Sequence, residues 1–297
     1  MQPTSRSKKP IILVVVFALL VCGGIAVAVL NKKPTVVLVP QIVDTTNHPI
    51  YKVIGTSVQG RNIESYTYGT GATRLVFVGG IHGGYEWNSV LLAYDLMDYL
   101  GRSSTTVPAN LTVTVIPDAN PDAVFAVTGK EGRFTQADVS TSTKVLTAAR
   151  FNADKVDLNR NFDCKWQPKS TWQSKIVSAG ASAFSEPEVQ TIRDYMLATK
   201  PDAAVFFHSA AGGVYASQCK NGILPTTLDL MNVYAKAAGY PAVKTFDAYV
   251  TTGAAEDWLA SVNIPAITVE LKTHNTIEWN QNLAGIKALF DYFSLRK

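Results

Sequence analysis

Apolar residues in this chain recur with two different periods, and stretches of one period alternate with stretches of the other. Leu75-Val76-Phe77-Val78 is an uninterrupted apolar run ending in Gly79-Gly80, the pattern of a buried strand closed by a turn. From Glu86 to Leu100, Trp87, Val90, Leu91, Tyr94 and Met97 fall at the spacing of an amphipathic helix. Leu111 to Ile116 predicts another strand, closed by Pro117 and an Asn120-Pro121-Asp122 turn. Ser185-Glu186-Pro187-Glu188 predicts a helix start, with Ser185 as N-cap, Pro187 in the first turn and Glu188 as the acid of a capping box. That helix runs to about Thr199. A strand over Ala203–Phe207, a helix over Leu228–Ala238, a strand over Ala266–Val269 and a helix over Leu283–Phe293 complete the series. Strands alternating with helices predict an α/β domain of three layers, α/β/α, with a mixed central sheet. No low-complexity stretch, charge block or repeat divides residues 44–297, so they are expected to form one domain.

The run Ile11 to Leu30 stands outside this alternation, with no charged or strongly polar side chain. About 20 apolar residues suffice to cross a hydrocarbon core of roughly 30 Å as a helix. The expected organisation is a basic cytoplasmic tail over 1–10, a transmembrane anchor over 11–30 and a tether over 31–43 punctuated by Pro34 and Pro40. The competing reading is a cleaved signal peptide, for which Ala26-Val27-Ala28 supplies a small-x-small site, although signal cores usually run only about 7–15 residues. Basic residues lie on both sides of the run, with a slight excess before it. That bias favours a single-pass protein with its catalytic domain outside the cytoplasm, or a secreted one if the segment is removed.

Charge removes one class of function. The formal net charge is +4, from 27 basic and 23 acidic residues, but Arg6, Lys8, Lys9, Lys32 and Lys33 flank the apolar run. Without those five the balance is 22 basic to 23 acidic, so the body of the chain carries no footprint for nucleic acid. Beyond the run there are two cysteines, Cys164 and Cys219, which either pair as a disulfide in an exported domain or remain two buried thiols.

Ligands in open α/β sheets bind at the carboxyl ends of the strands. His82, His208 and Glu270 each fall at or just after the end of a predicted strand. A catalytic zinc needs three nitrogen or oxygen ligands from the protein and one open position. Four segments here resemble the zinc metallocarboxypeptidase family, over a span from about Ile54 to the C-terminus. They are Gly80-Ile81-His82-Gly83-Gly84-Tyr85-Glu86-Trp87, Val156-Asp157-Leu158-Asn159-Arg160-Asn161-Phe162, Phe207-His208-Ser209 and Thr268-Val269-Glu270-Leu271. The resemblance implies one zinc ion per chain, with His82, Glu86 and His208 as ligands and Glu270 as general base.

The family's ligand pair is His-x-x-Glu, whereas Glu86 lies four residues after His82 and Tyr85 holds the usual place. Gly83 and Gly84 could absorb the extra residue, and the alternative is a glutamate that only favours a helix N-terminus. For Glu270 the alternative is a strand-end carboxylate paired with Lys272. Asp157 either orients His82 or caps a turn. Asn159 and Arg160 resemble the family's clamp for a terminal carboxylate. Arg150 is the candidate to polarise the scissile carbonyl, with Arg133 the alternative. Tyr249 matches the family's substrate-closing tyrosine. Glu256 falls at its specificity position, implying a cationic end group such as Lys, Arg or the ammonium of diaminopimelate, unless it is a surface acid. The expected activity is zinc-dependent removal of C-terminal residues from peptides. The alternatives are an amidase or endopeptidase of cell-wall peptides and a non-catalytic peptide-binding module.

Overall fold

The computed structural model describes residues 47–295; the apolar run and tether expected over 11–43 lie outside them. Among the described residues no helix is long and apolar enough to cross a membrane.

The described residues open with a hairpin of β1 (Ile50–Thr56) and β2 (Asn62–Tyr68), then β3 (Thr73–Val78) leads through a short 3-10 turn to α1 (Trp87–Gly101). Next come β4 (Leu111–Ile116), α2 (Pro121–Thr128) and the short α3 (Thr143–Ala148). A separate two-stranded ribbon, β5 (Lys169–Trp172) and β6 (Lys175–Ser178), precedes α4 (Pro187–Thr199). The rest is β7 (Ala203–Ser209), β8 (Gly213–Ala216), α5 (Pro225–Ala238), β9 (Ala242–Val243), α6 (Ala255–Ser261), β10 (Ala266–Leu271) and α7 (Trp279–Ser294).

Eight strands form one mixed sheet in the order β1-β2-β4-β3-β7-β10-β8-β9. Its centre, β4-β3-β7-β10, is parallel, while β2 meets β4 and β8 meets β10 antiparallel. Strand periodicity sorts side chains to the two faces. Leu75 and Phe77 of β3, Val205 and Phe207 of β7, and Ile267 and Val269 of β10 pack with Leu92 and Leu96 of α1, Leu230 and Tyr234 of α5, and Leu289 and Phe290 of α7. The intervening residues, Val76, Val78, Ala204, Phe206 and Ala266, face Val189, Ile192 and Met196 of α4 and Trp258 and Leu259 of α6. Apolar surface on both faces needs cover on both, and the result is the expected α/β/α sandwich with a mixed sheet.

One local expectation is corrected. Ser185 does not cap α4: the cap position is Glu186, without a side-chain cap bond, and Pro187 starts the helix. Glu188 is drawn away from the capping role by tertiary partners, accepting from the Val58 N–H at 3.0 Å and from Asn152 Nδ2 at 3.2 Å.

Candidate metal centre

Three adjacent parallel strands deliver the predicted residues to one place. His208 is near the end of β7, and Glu270 of β10 is its direct register partner. Their side chains continue the sheet face of Phe206 and Ala266 and emerge where the strands end. His82 and Glu86 come from the turn after β3.

That turn explains the extra residue. Residues Gly83–Glu86 form a 3-10 turn in which Gly83 has φ +47°. A Cβ on Gly83 would lie 2.3 Å from Ala123 Cβ, and one on Gly84 would lie 2.5 Å from Val127 Cγ2, so the turn lies directly against α2. The tight winding leaves a Glu86 carboxylate oxygen within 4.8 Å of a His82 ring nitrogen. Glu86 immediately precedes α1 but makes no side-chain cap bond there, and its Oε2 turns instead to His208 Nδ1 and the Ser209 N–H.

His82, Glu86 and His208 are 4, 3 and 2 % exposed, and each offers one ligand atom within 4.8 Å of the others. Hydrogen-bond chemistry fixes which atoms. A guanidinium only donates, and Arg150 Nη2 lies 3.1 Å from His82 Nε2, so that nitrogen carries the lone pair. His82 Nδ1 then bears the proton, 3.4 Å from Asp157 Oδ1. Both atoms are buried with no hydrogen-bond partner. His208 presents Nδ1 to Glu86 Oε2 at 3.1 Å and Nε2 to Glu256 Oε1 at 2.7 Å. Two nitrogens and one carboxylate oxygen, buried beside further carboxylates, form a donor set that suits one zinc ion with an open position.

The surrounding charges agree. Burial and then Arg150 hold the His82 pKa well below its ordinary value. Burial acts to lower that of His208, but Glu256 and Glu86 outweigh it and raise it well above normal. Glu270 is pushed up to about 7 by burial and by the charge of Glu86. Before a metal binds, His208 is therefore a cation held between two carboxylates.

The remaining predicted residues line the same cleft, of about 320 Å³: Arg150, Asn159, Arg160, Tyr249, Glu256 and Glu270. Arg150 is 3 % exposed, and its Nε donates to Asp157 Oδ2 at 2.9 Å. Arg133 lies half-exposed on the surface, paired with Asp98, which removes it as the alternative. Asp157 makes no helix-cap bond. Glu270 Oε2 accepts from the Ala211 N–H at 3.1 Å, while Lys272 Nζ turns to Gln281, so the alternative Glu270–Lys272 pairing does not form. Arg160 donates Nε to Thr171 O and Nη1 to Asn159 O, and Nη2 has no partner among the described residues. Asn159 Oδ1 accepts from the Ala255 N–H at 2.7 Å, joining the clamp to the start of α6. Glu256 is 3 % exposed and not a surface acid. Cys164 and Cys219 are bonded, with Cα atoms 5.9 Å apart.

Sequence reasoning missed three residues of the cleft wall, Tyr85, Trp172 and His274. The Tyr85 ring lies 5.1 Å from Trp172 and 4.6 Å from His274. His274 follows Glu270 by four residues in a chain with four histidines, a signal that could have marked it. Trp172 offered none, because the β5–β6 ribbon has no strong pattern.

Residues 46–284 match the zinc carboxypeptidase family. Among solved structures, a murein-tripeptide amidase from Escherichia coli O157 is 21 % identical, covering 84 % of this chain and 93 % of that one with a TM-score of 0.59. A carboxypeptidase A from Helicoverpa armigera is 21 % identical over 84 % of this chain and 68 % of its own, with a TM-score of 0.60. A metallo-carboxypeptidase from Burkholderia cenocepacia is 17 % identical over 83 % and 66 %, with a TM-score of 0.54. At such identities the structures speak for the shared fold, and the family match speaks for the lineage. Because that match spans most of the chain, the protein belongs to the zinc carboxypeptidase family and is a zinc metallopeptidase.

Proposed function

We propose that this enzyme hydrolyses the last peptide bond of peptides that end in a cationic residue, outside the cytoplasm. One observation carries the reading: Arg160 Nη2, without a partner among the described residues, sits in the same cleft as the buried triad. A guanidinium with an unused donor is suited to a substrate carboxylate, and a carboxylate anchored there restricts cleavage to the chain end.

His82, Glu86 and His208 would hold zinc, which when bound supplies a Lewis acid for the scissile carbonyl and for the attacking water. The chain's own groups do the rest. Glu270 takes the proton of the attacking water on its carboxylate and returns it to the leaving amine nitrogen. The Ala211 N–H, 3.1 Å from its Oε2, holds that carboxylate in place. Asp157, whose Oδ1 faces His82 Nδ1 across 3.4 Å, would orient that ring and also receives Arg150 Nε, and the Arg150 guanidinium would face the carbonyl oxygen as charge grows there. Tyr249, beside the cleft, would close over the bound end residue.

Glu256 supports the cationic preference. Although burial opposes its ionisation, His208 holds its pKa below the usual value, so its charge is retained at the clamp end of the cleft. Its Oε1 is engaged by His208 Nε2 at 2.7 Å, and an acid lining the cleft at this point would favour Lys, Arg or a diaminopimelate ammonium over an apolar end. Export is supported by the disulfide, a bond that persists in oxidising compartments. The apolar run at 11–30 would provide anchorage at a membrane or a cleaved signal.

A second reading, action on cell-wall peptides, draws on the likeness to the murein-tripeptide amidase, nearly the whole of which this chain covers. The test uses the zinc-loaded domain from Lys33 onward on matched peptides ending in Lys, Phe and Lys-amide. Release of Lys over Phe, lost on amidation and shifted toward Phe by Glu256→Gln, is the expected pattern. Equal cleavage of the amidated peptide would overturn the exopeptidase reading, and an unchanged Lys-to-Phe ratio would overturn the role of Glu256.

A further inference from the structure

His274 lines the cleft, yet none of the roles assigned so far uses it. Its protonation pattern can be deduced from its neighbours. Asn88 spends both Nδ2 protons on carbonyl oxygens, those of Thr273 at 2.7 Å and Thr276 at 2.8 Å. Its Oδ1 can therefore only accept, and it does so from Ser209 Oγ at 2.9 Å. A hydroxyl has one proton. With that proton given to Asn88, Ser209 Oγ must accept from the remaining neighbour, His274 Nδ1 at 2.8 Å. His274 thus carries its proton on Nδ1, and Nε2 holds a lone pair with no hydrogen-bond partner among the described residues. Burial keeps its pKa below the ordinary value, so the ring stays neutral near pH 7.

Its place in the cleft follows from contacts. Ser209, which holds His274, donates its backbone N–H to Glu86 Oε2 at 3.0 Å. On the other side of the triad, His208 Nε2 reaches Glu256, and Asn159 binds the N–H of the residue before Glu256. His274 thus connects through Ser209 and Glu86 to His208 Nδ1, while the Asn159–Arg160 clamp connects through the start of α6 to Nε2, the other nitrogen of the same ring. If the clamp holds the departing C-terminal residue, His274 stands on the acyl side of the scissile bond. There the Tyr85 ring packs against it at 4.6 Å, with Trp172 behind, and limits how far it can turn.

We propose that His274 is a substrate-binding residue whose Nε2 accepts a hydrogen bond from the backbone N–H of the acyl-side residue. Peptides longer than two residues carry this amide donor there unless the nitrogen is alkylated, so the contact would grip such peptides irrespective of acyl-side side chain. The assignment rests on the exopeptidase reading for its direction along the cleft, and on the Asn88–Ser209–His274 relay for its chemistry.

Two replacements separate the nitrogens of the ring. Asparagine can mimic Nδ1 and keep the bond to Ser209 while removing the cleft-side acceptor. Glutamine can place an acceptor near Nε2. Each variant and the wild type are assayed for release of C-terminal Lys from an N-acylated dipeptide and from its analogue N-methylated at the acyl-side residue, after zinc content is checked. N-methylation is expected to lower kcat/KM about 3- to 10-fold more in the wild type than in His274→Asn, the worth of one neutral hydrogen bond. His274→Gln should keep more of the wild-type activity on the unmethylated substrate than His274→Asn. Equal costs of N-methylation in wild type and His274→Asn, with zinc retained in both, would overturn the proposal. Should His274→Asn lose its zinc or fold, the same comparison with His274→Phe decides, with equal costs again overturning it. A wild type that cleaves the C-terminal amide as well as the acid would instead remove the exopeptidase reading, and with it the direction this assignment needs.

Discussion

Breaking the Cys164–Cys219 bond should cost the domain about 4 kcal/mol. The bond closes a loop with a sequence separation of 55. The chain-entropy relation for a loop of that length gives about 14 cal/mol/K, or about 4 kcal/mol at 25 °C, lost from the unfolded ensemble when the bond is present. Native contacts should reinforce this figure, because both cysteines are buried and the bond sits within a hydrogen-bonded frame. Phe162 N–H donates to Gly253 O, and Gly253 N–H donates to Cys164 O. The perturbation is the double variant Cys164→Ala/Cys219→Ala, which avoids leaving thiols to recombine. Urea unfolding followed by tryptophan fluorescence at 25 °C, with a common slope, measures the difference. A midpoint shift worth less than about 1 kcal/mol would refute the reasoning, since it would mean that the oxidised chain gains nothing from a closed loop of this size. The variant should also bind a C-terminal carboxylate more weakly, because the same frame holds the segment that carries Asn159 and Arg160.

Other consequences are equally open to measurement. Glu270→Gln should retain zinc and lose about 100- to 10,000-fold in kcat, the usual worth of a general base, and an activity within tenfold of wild type would count against Glu270. Zinc loading at pH 7 should release between one and two protons from the side chains, one from His208 and about half of one from Glu270. Calorimetry in buffers of different ionisation enthalpy reads that number. It should fall toward one as pH rises above 7, because Glu270 has then already lost its proton, and a release near zero would contradict the charges described. Asp157→Asn should weaken zinc binding about 10- to 100-fold in a chelator competition, with unchanged affinity counting against its hold on His82. Gly83→Ala should lower the melting temperature by several degrees, because its Cβ would meet Ala123 at 2.3 Å in a backbone conformation that side chains avoid.

The alternation of buried strands and amphipathic helices made the centre of the fold legible, because β3 and β7 contain unbroken apolar runs and β4 and β10 each keep one wholly apolar face. The edges were not. β1 has exposed Ile50, Tyr51 and Val53, and its pattern does not distinguish the faces. β8, β9 and the β5–β6 ribbon are of four residues or fewer, too short for a period to register. The residues of the metal centre could be read because strand ends are where ligands bind and because their motifs are local. Trp172 could not, since it comes to the cleft on a ribbon distant in sequence from the ligands, while Tyr85, next to Glu86, and His274, four residues after Glu270, carried only a positional signal. Glu256 shows the same limit differently. Its position was foreseen from a motif, while its bond to His208 depends on how α6 meets β7.

The parallel pairing of β7 with β10 has a dynamic consequence. Both strands are interior to the sheet, with β3 beyond one and β8 beyond the other, so their amides can open to solvent only when the layers come apart. Hydrogen exchange at His208 and Glu270 should therefore report global unfolding. The stretch from Lys244 to Val250 has no strand or helix and is mostly half-buried or exposed, and its amides should exchange by local opening. Tyr249 rides on that stretch. Tyr249, proposed to close over the end residue, would then move on a segment that costs little to open, while His208 and Glu270 stay fixed in the last part of the molecule to yield.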